Sequence, residues 1–102
     1  MPTPLATYRL RPAARRDLSD IWDYTASEWS VDRADRYVRG IVAFLDALLE
    51  QPRIARERTE ITPPVRLQPY ASHLIVYRIE EPELDVIRIV HARQDWLALL
   101  RK

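Results

Sequence analysis

From Ala13 to Trp29 the apolar residues recur at Ala14, Leu18, Ile21, Trp22, Thr25 and Trp29, spacings that keep them on one face of a helix. Arg15, Arg16, Asp17, Ser19, Asp20, Asp23 and Ser27 fill the opposite, solvated face. The pattern predicts an amphipathic helix with two tryptophans on its buried side. Pro12 suits its first turn, where a missing N–H costs nothing. Ser30 and Asp32 open a second helix, the first as N-cap and the second as a charge favoured by the helix dipole. Its apolar positions Ala34, Tyr37, Val38, Ile41, Phe44, Leu45, Leu48 and Leu49 form a stripe roughly 160° wide, and Pro52 stops it. The spacings Asp32 to Arg36 and Asp35 to Arg39 allow acid-first ion pairs along it. Gly40, the only glycine, is expected to admit close approach of the neighbouring helix. A tight antiparallel helical hairpin follows from the short joint at Ser30.

Period-two alternation marks the strands. Leu5 to Arg11 reads as a strand with Tyr8 and Leu10 on one side. Arg53 to Pro64 has no clear period and is expected to be an exposed loop. Val65 to Pro69, His73 to Ile79 and Leu84 to Ala92 then read as three strands, the last two joined by the loop Glu80 to Glu83. Pairing Ile79 with Leu84 sets Arg78 opposite Asp85, an expected ion pair. Strict alternation places Leu74, Val76, Ile87 and Ile89 under the helical hairpin. The other face carries Ile75, Tyr77, Ile79, Leu84, Val86 and Val90, interrupted by Arg88. That face is too apolar to stay wet. Either the tail from Asp95 to Lys102 covers it, with Asp95 capping a short helix that bears Trp96, Leu97, Leu99 and Leu100, or a partner does.

These elements give one α+β domain over residues 1–102: a strand, an antiparallel helical hairpin, three antiparallel strands and a short C-terminal helix or tail. The chain has no cysteine, which excludes disulfides and cysteine zinc sites. Neither a secretory leader nor a membrane-length apolar run is legible, so a cytoplasmic protein is expected. Sixteen basic and fifteen acidic residues leave a net charge of +1, too balanced for a protein whose main task is holding nucleic acid. Only Lys102 among the basic residues is a lysine. An arginine bias fits phosphate or carboxylate recognition, but a GC-rich genome produces it with no function at all and is the preferred reading.

His73 and His91 are the only histidines, and strict alternation puts them on opposite faces of adjacent strands. They then cannot converge on one ion, and no metal or other cofactor is expected. One glycine cannot make a phosphate-cradling loop. The remaining constellation is Arg66, Arg78, Arg88, His91 and Arg93 on the sheet, with Glu57 and Glu60 in the preceding loop. Guanidinium groups with a proton-transfer residue are what metal-free RNA scission requires. The same residues read more readily as structural: Arg78 paired with Asp85, Arg66 and Arg88 solvating the sheet, and His91 a hydrogen-bonded packing residue at a strand end.

In order, Tyr8-Arg9-Leu10, Ala14, Asp17-Leu18, Ile21-Trp22, Tyr24, Trp29, Ala34, Tyr37 and Pro52 lead to His73, Val76-Tyr77-Arg78 and Val86-Ile87-Arg88-Ile89-Val90-His91. This set resembles toxins of the ParE/RelE superfamily, more particularly the ParE branch, over about Tyr8 to Asp95. The resemblance implies the toxin half of a bacterial toxin-antitoxin pair, neutralised by a ParD-like antitoxin and directed at DNA gyrase without nuclease activity. It implies antitoxin contacts at Leu18, Trp22, Trp29, Tyr37, Ile41, Leu45 and Tyr77, and target contacts at Arg66, Arg88, His91, Arg93 and Trp96. Neither a membrane nor specific direct nucleic-acid binding is implied. RelE-like relatives cut messenger RNA on the ribosome, and that alternative uses Arg66, His91 and Glu60. An interaction module without toxicity is the third reading.

Overall fold

The structure, a computed structural model, describes residues 4–101. Lys102 at the end of the expected tail and the first three residues of the N-terminal segment lie outside them. Strand β1 (Thr7–Leu10) leads into α1 (Pro12–Glu28) and α2 (Val31–Glu50), followed by β2 (Glu57–Arg58), β3 (Val65–Tyr70), β4 (His73–Glu80), β5 (Glu83–His91) and α3 (Trp96–Leu100). The sheet order is β1-β5-β4-β3-β2, with β1 parallel to β5 and the other neighbours antiparallel. The expected α+β order is therefore present, with β2 added where an unbroken loop was expected. No helix among the described residues is long and apolar enough to cross a membrane.

The helix boundaries follow local chemistry. Ser30 Oγ accepts the Arg33 N–H at 3.1 Å and Asp95 Oδ1 accepts the Ala98 N–H at 3.2 Å, so both expected N-caps are formed. Asp35 does not serve Arg39; its carboxylate accepts Trp22 Nε1–H at 2.8 Å and joins the two helices. At Gly40 the close neighbour is not α1 but β3, because a Cβ there would collide with the Tyr70 hydroxyl. The end of α2 is tied to the sheet by Tyr77 Oη, which donates to the buried Pro52 carbonyl at 2.6 Å.

The Glu80–Glu83 turn and the Ile79↔Leu84 pair are as the alternation predicts. Beyond them the register shifts: Tyr77 opposes Val86, whereas Val76 opposes Arg88, which leaves Ile87 as the extra residue of a β-bulge. One inserted residue reverses the phase of everything after it. Ile75, Tyr77, Leu84 and Val86 keep the shared face that alternation gives them, but it is this face that lies with Ile21, Ile41, Leu45 and Leu48 under the hairpin, and the bulge brings Ile89 onto it in place of Val90. Val65, Val76, Ile87 and Val90 form the second cluster, joined by Leu74 and by Trp96, Leu99 and Leu100 of α3. The two expected faces are thus largely exchanged, and the chain's own tail covers the second one. Its apolar character gives no reason to invoke a partner there.

Arg78 does lie opposite Asp85, but the expected ion pair is absent. Its guanidinium reaches the Pro64 and Pro63 carbonyls, each at 3.3 Å. Asp85, 1% exposed, is held instead by Arg11, whose Nη2 and Nε donate to the two carboxylate oxygens at 2.7 and 3.2 Å. Arg9 Nη2 stands 3.5 Å from the same carboxylate. A bidentate arginine across the parallel β1–β5 pair is stronger and less geometry-tolerant than a single cross-strand contact.

Candidate functional site

A groove of about 610 Å³ lies between the α1–α2 joint and the His73–His91 end of the sheet. Helix α1 supplies Asp20, Ile21, Tyr24 and Thr25, the joint supplies Trp29, and α2 supplies Arg33 and Tyr37. Ser72, His73, His91 and Gln94 close the sheet side. Trp29 and Tyr24 are 65% and 66% exposed, so the expectation of two tryptophans on a buried face holds only in part, for half-buried Trp22. The Arg33 guanidinium stands over the Trp29 ring, 4.2 Å from its centroid, which holds the indole side-on at the mouth.

The bulge also overturns the placement of the histidines. His73 and His91 are direct cross-strand partners on one face, their rings edge to face at 5.3 Å between centroids. His73 Nδ1 lies 2.7 Å from Tyr37 Oη, and His91 Nδ1 accepts the Arg93 N–H at 3.1 Å. Burial first, then the neighbouring His91, lowers the His73 pKa, opposed by Asp17. The Tyr37 phenol is raised by burial, with the Ser72 backbone hydrogen bond working against it.

The other proposed site residues do not converge on this groove. Arg66 donates to the Ala55 carbonyl at 2.5 Å and lines a separate polar cavity of about 330 Å³ with Arg78, Glu57 and Glu80. Glu60 is engaged by Arg58, whose Nη2 lies 2.6 Å away, and its exposed carboxylate is held below the usual range chiefly by that hydrogen bond. Arg88 makes a two-point contact with Asp17 at 2.8 and 2.9 Å, and Asp17 also accepts the Ile89 N–H. That carboxylate satisfies the edge of β5 beyond the point where β1 ends at Leu10. Arg93 is exposed beside His91, whereas Trp96 packs in the cluster beneath α3 with Arg58 over its ring at 5.2 Å. Of the proposed antitoxin contacts, Trp29 and Tyr37 line the groove, while Leu18 and Trp22 are half-buried. Ile41, Leu45 and Tyr77 are fully buried in the chain's own core, so they are corrected from contact surface to core.

The family described as ParE toxin of the type II toxin-antitoxin system, parDE, matches residues 8–96. Toxin ParE1 of Mycobacterium tuberculosis is 40% identical over 89 residues, spanning 86% of this chain and 91% of that protein. The chain belongs to the ParE toxin family. Toxin ParE1 of Caulobacter vibrioides is 31% identical over 84 residues, 82% of this chain and 86% of the relative. In structure, a chain described under the chromosomal ParDE toxin-antitoxin system from P. aeruginosa superposes with a TM-score of 0.73 at 20% identity, covering 88% of this chain and 98% of that one. The ParE fold is thereby shared well beyond the level at which sequences remain alike.

Within this ParE chain, sequence reasoning missed three placements: the Asp17 brace of β5, the Asp85–Arg11 clamp and the shared face of His73 and His91. Asp85 had a usable signal, an acidic residue inside an otherwise apolar run, because a buried carboxylate demands a cation. No pattern in the strand announced the bulge.

Proposed function

We propose that this ParE toxin inhibits DNA gyrase by binding it, without cutting nucleic acid itself, and that a ParD-like antitoxin neutralises it in the cytoplasm. Family membership supports the toxin role. The observation that carries the choice against RNA scission is the dispersal of the candidate catalytic groups. Arg66 and His91 line different cavities, Glu60 is spent on Arg58, and Arg88 is spent on Asp17. Phosphoryl transfer needs its proton-transfer and charge-stabilising groups within hydrogen-bond reach of one phosphate. An antitoxin contact is supported by the apolar strip at the hairpin tip, where Tyr24, Trp29 and Val31 are each more than half exposed.

The test is a pair of assays on the purified chain. Loss of gyrase supercoiling, relieved by the antitoxin encoded beside the toxin, is the expected result. Codon-phased cuts in ribosome-bound messenger RNA that disappear in Arg66→Ala or His91→Ala would reverse the assignment.

A further inference from the structure

The polar cavity of about 330 Å³ lies between the α2–β2 loop, the loop before β3 and the turn end of β4. Three arginines and three glutamates line it, Arg53, Arg66 and Arg78 against Glu57, Glu80 and Glu81. Its other lining residues, Pro63, Pro64 and Ile79, carry no charge. The six charges are not equally spent. Arg53 and Glu81 pair with each other at 3.0 Å and cancel. Arg66 and Arg78 are partly buried, and among the described residues neither joins an ion pair. Carbonyl oxygens alone hold them, that of Ala55 for Arg66 and those of Pro63 and Pro64 for Arg78. Such bonds satisfy N–H groups without neutralising the cation, and an arginine cannot shed its proton.

The carboxylates opposite them on the ladder do not help. Asp85, across from Arg78, is taken by Arg11, and Glu57, across from Arg66, makes no ion pair with it. Glu57 and Glu80 are exposed and likewise have no ion-pair partner among the described residues. Two uncancelled cations are thus partly buried, and two uncancelled carboxylates stand at the solvent. Phosphate or a nucleic-acid backbone would meet the arginines but be repelled by the glutamates, and a simple cation would meet the reverse. A molecule with one carboxylate and one ammonium group answers both. The carboxylate suits the guanidinium forks, which can grip it at two points.

We propose that this cavity binds a small zwitterion of the free α-amino acid class, its carboxylate on Arg66 and Arg78 and its ammonium toward Glu57 and Glu80. The binding is separate from gyrase inhibition and from RNA scission, because it rests on charges that neither reading uses together.

The arginine Nε–H resonances of the isotope-labelled full chain report the site directly. The chain is titrated at constant ionic strength with L-glutamine, whose side chain is uncharged, with N-acetyl-L-glutamine, which keeps only the carboxylate, with L-glutaminamide, which keeps only the ammonium, and with inorganic phosphate. Glutamine is expected to shift the Arg66 and Arg78 signals and to bind at least about tenfold more tightly than the other three. Glu57→Gln, at an exposed position, is expected to weaken glutamine by at least about threefold while N-acetyl-L-glutamine binds no more weakly than before, a split that damage to the fold would not produce. Arg66→Gln, checked for an unchanged far-ultraviolet spectrum, is expected to weaken both. Binding of N-acetyl-L-glutamine or phosphate as tight as that of glutamine, equal weakening of both ligands by Glu57→Gln, or no response of either arginine up to about 10 mM glutamine would overturn the proposal.

Discussion

At the turn end of the β4–β5 hairpin a buried carboxylate is closed off by two arginines, whereas at the other end two imidazoles face an open groove. Both ends hold ionisable groups between strands. At the first, Asp85 is 1% exposed and both its oxygens are taken by Arg11, so the charge serves only to fix β1 on β5. At the second, each histidine engages its Nδ1 within the fold while the residue itself lines the groove. A polar group whose hydrogen bonds are completed within the fold stabilises it. One left half-satisfied beside exposed aromatic surface is available to a ligand.

The contrast breaks first at Asp85. Replacing it with alanine removes a charge-assisted bidentate contact and should cost about 2 to 3 kcal/mol, below the usual loss for a buried pair because Arg11 can rehydrate. Arg11 and Arg9 are 42% and 54% exposed in their side chains, which makes that relaxation possible. Urea unfolding measures it, and a loss under about 1 kcal/mol would show that the clamp is incidental. Burial pulls the Asp85 pKa up, but the Arg11 hydrogen bonds and the charges of Arg11 and Arg9 outweigh it, so the net shift is downward. Its contribution is therefore present above the ordinary carboxylate range and lost as pH falls through the lowered value. The gap between wild type and Asp85→Ala should close in acid.

A smaller effect tests how tightly the groove end is packed. Gly40→Ala gains about 1 kcal/mol of helix propensity, yet its methyl would collide with the Tyr70 hydroxyl. Tyr70 cannot swing freely, because its ring meets Tyr37 at 5.8 Å and Phe44 at 5.4 Å between centroids. Overpacking of this kind costs about 1 to 3 kcal/mol, so a net loss of up to about 2 kcal/mol is expected. In a Tyr70→Phe background the oxygen is gone and the cost should fall by at least half. An identical cost in both backgrounds would place the strain elsewhere.

The two ends also differ in how much of them the sequence discloses. Both helices, their caps at Ser30 and Asp95, and the Ile79↔Leu84 register follow from spacing and turn chemistry within a few residues of each other. The bulge does not, because Val86, Ile87, Ile89 and Val90 are apolar at both parities and carry no phase information. From that one hidden residue come the exchanged places of Ile89 and Val90 and the misplaced histidines, whereas the hairpin's choice of the Ile75 and Tyr77 face is a tertiary packing that alternation alone does not assign. The Asp85 clamp joins β1 to β5 across 74 residues of chain, a pairing that local periodicity cannot register. Two-residue β2 is likewise too short to show alternation.

The smallest expected effect separates the two ends by pH. His73 is half-buried, and burial together with His91 holds its pKa below the ordinary 6.5. In the window between that lowered value and 6.5 the unfolded chain binds more protons than the folded one, so stability rises with pH there. Stability is therefore complete above 6.5 and is lost as pH falls toward the folded value, the opposite of a histidine stabilised by an acidic partner. Unfolding curves from about pH 7.5 down to about pH 5.5 should show this decline while Asp85 stays ionised. In His73→Gln the side-chain amide can pair with Tyr37 as donor or acceptor but has no proton to gain, so the slope should flatten. A decline that persists unchanged in His73→Gln, or stability that increases on acidification through this window, would mean that the groove end is not held by a neutral imidazole.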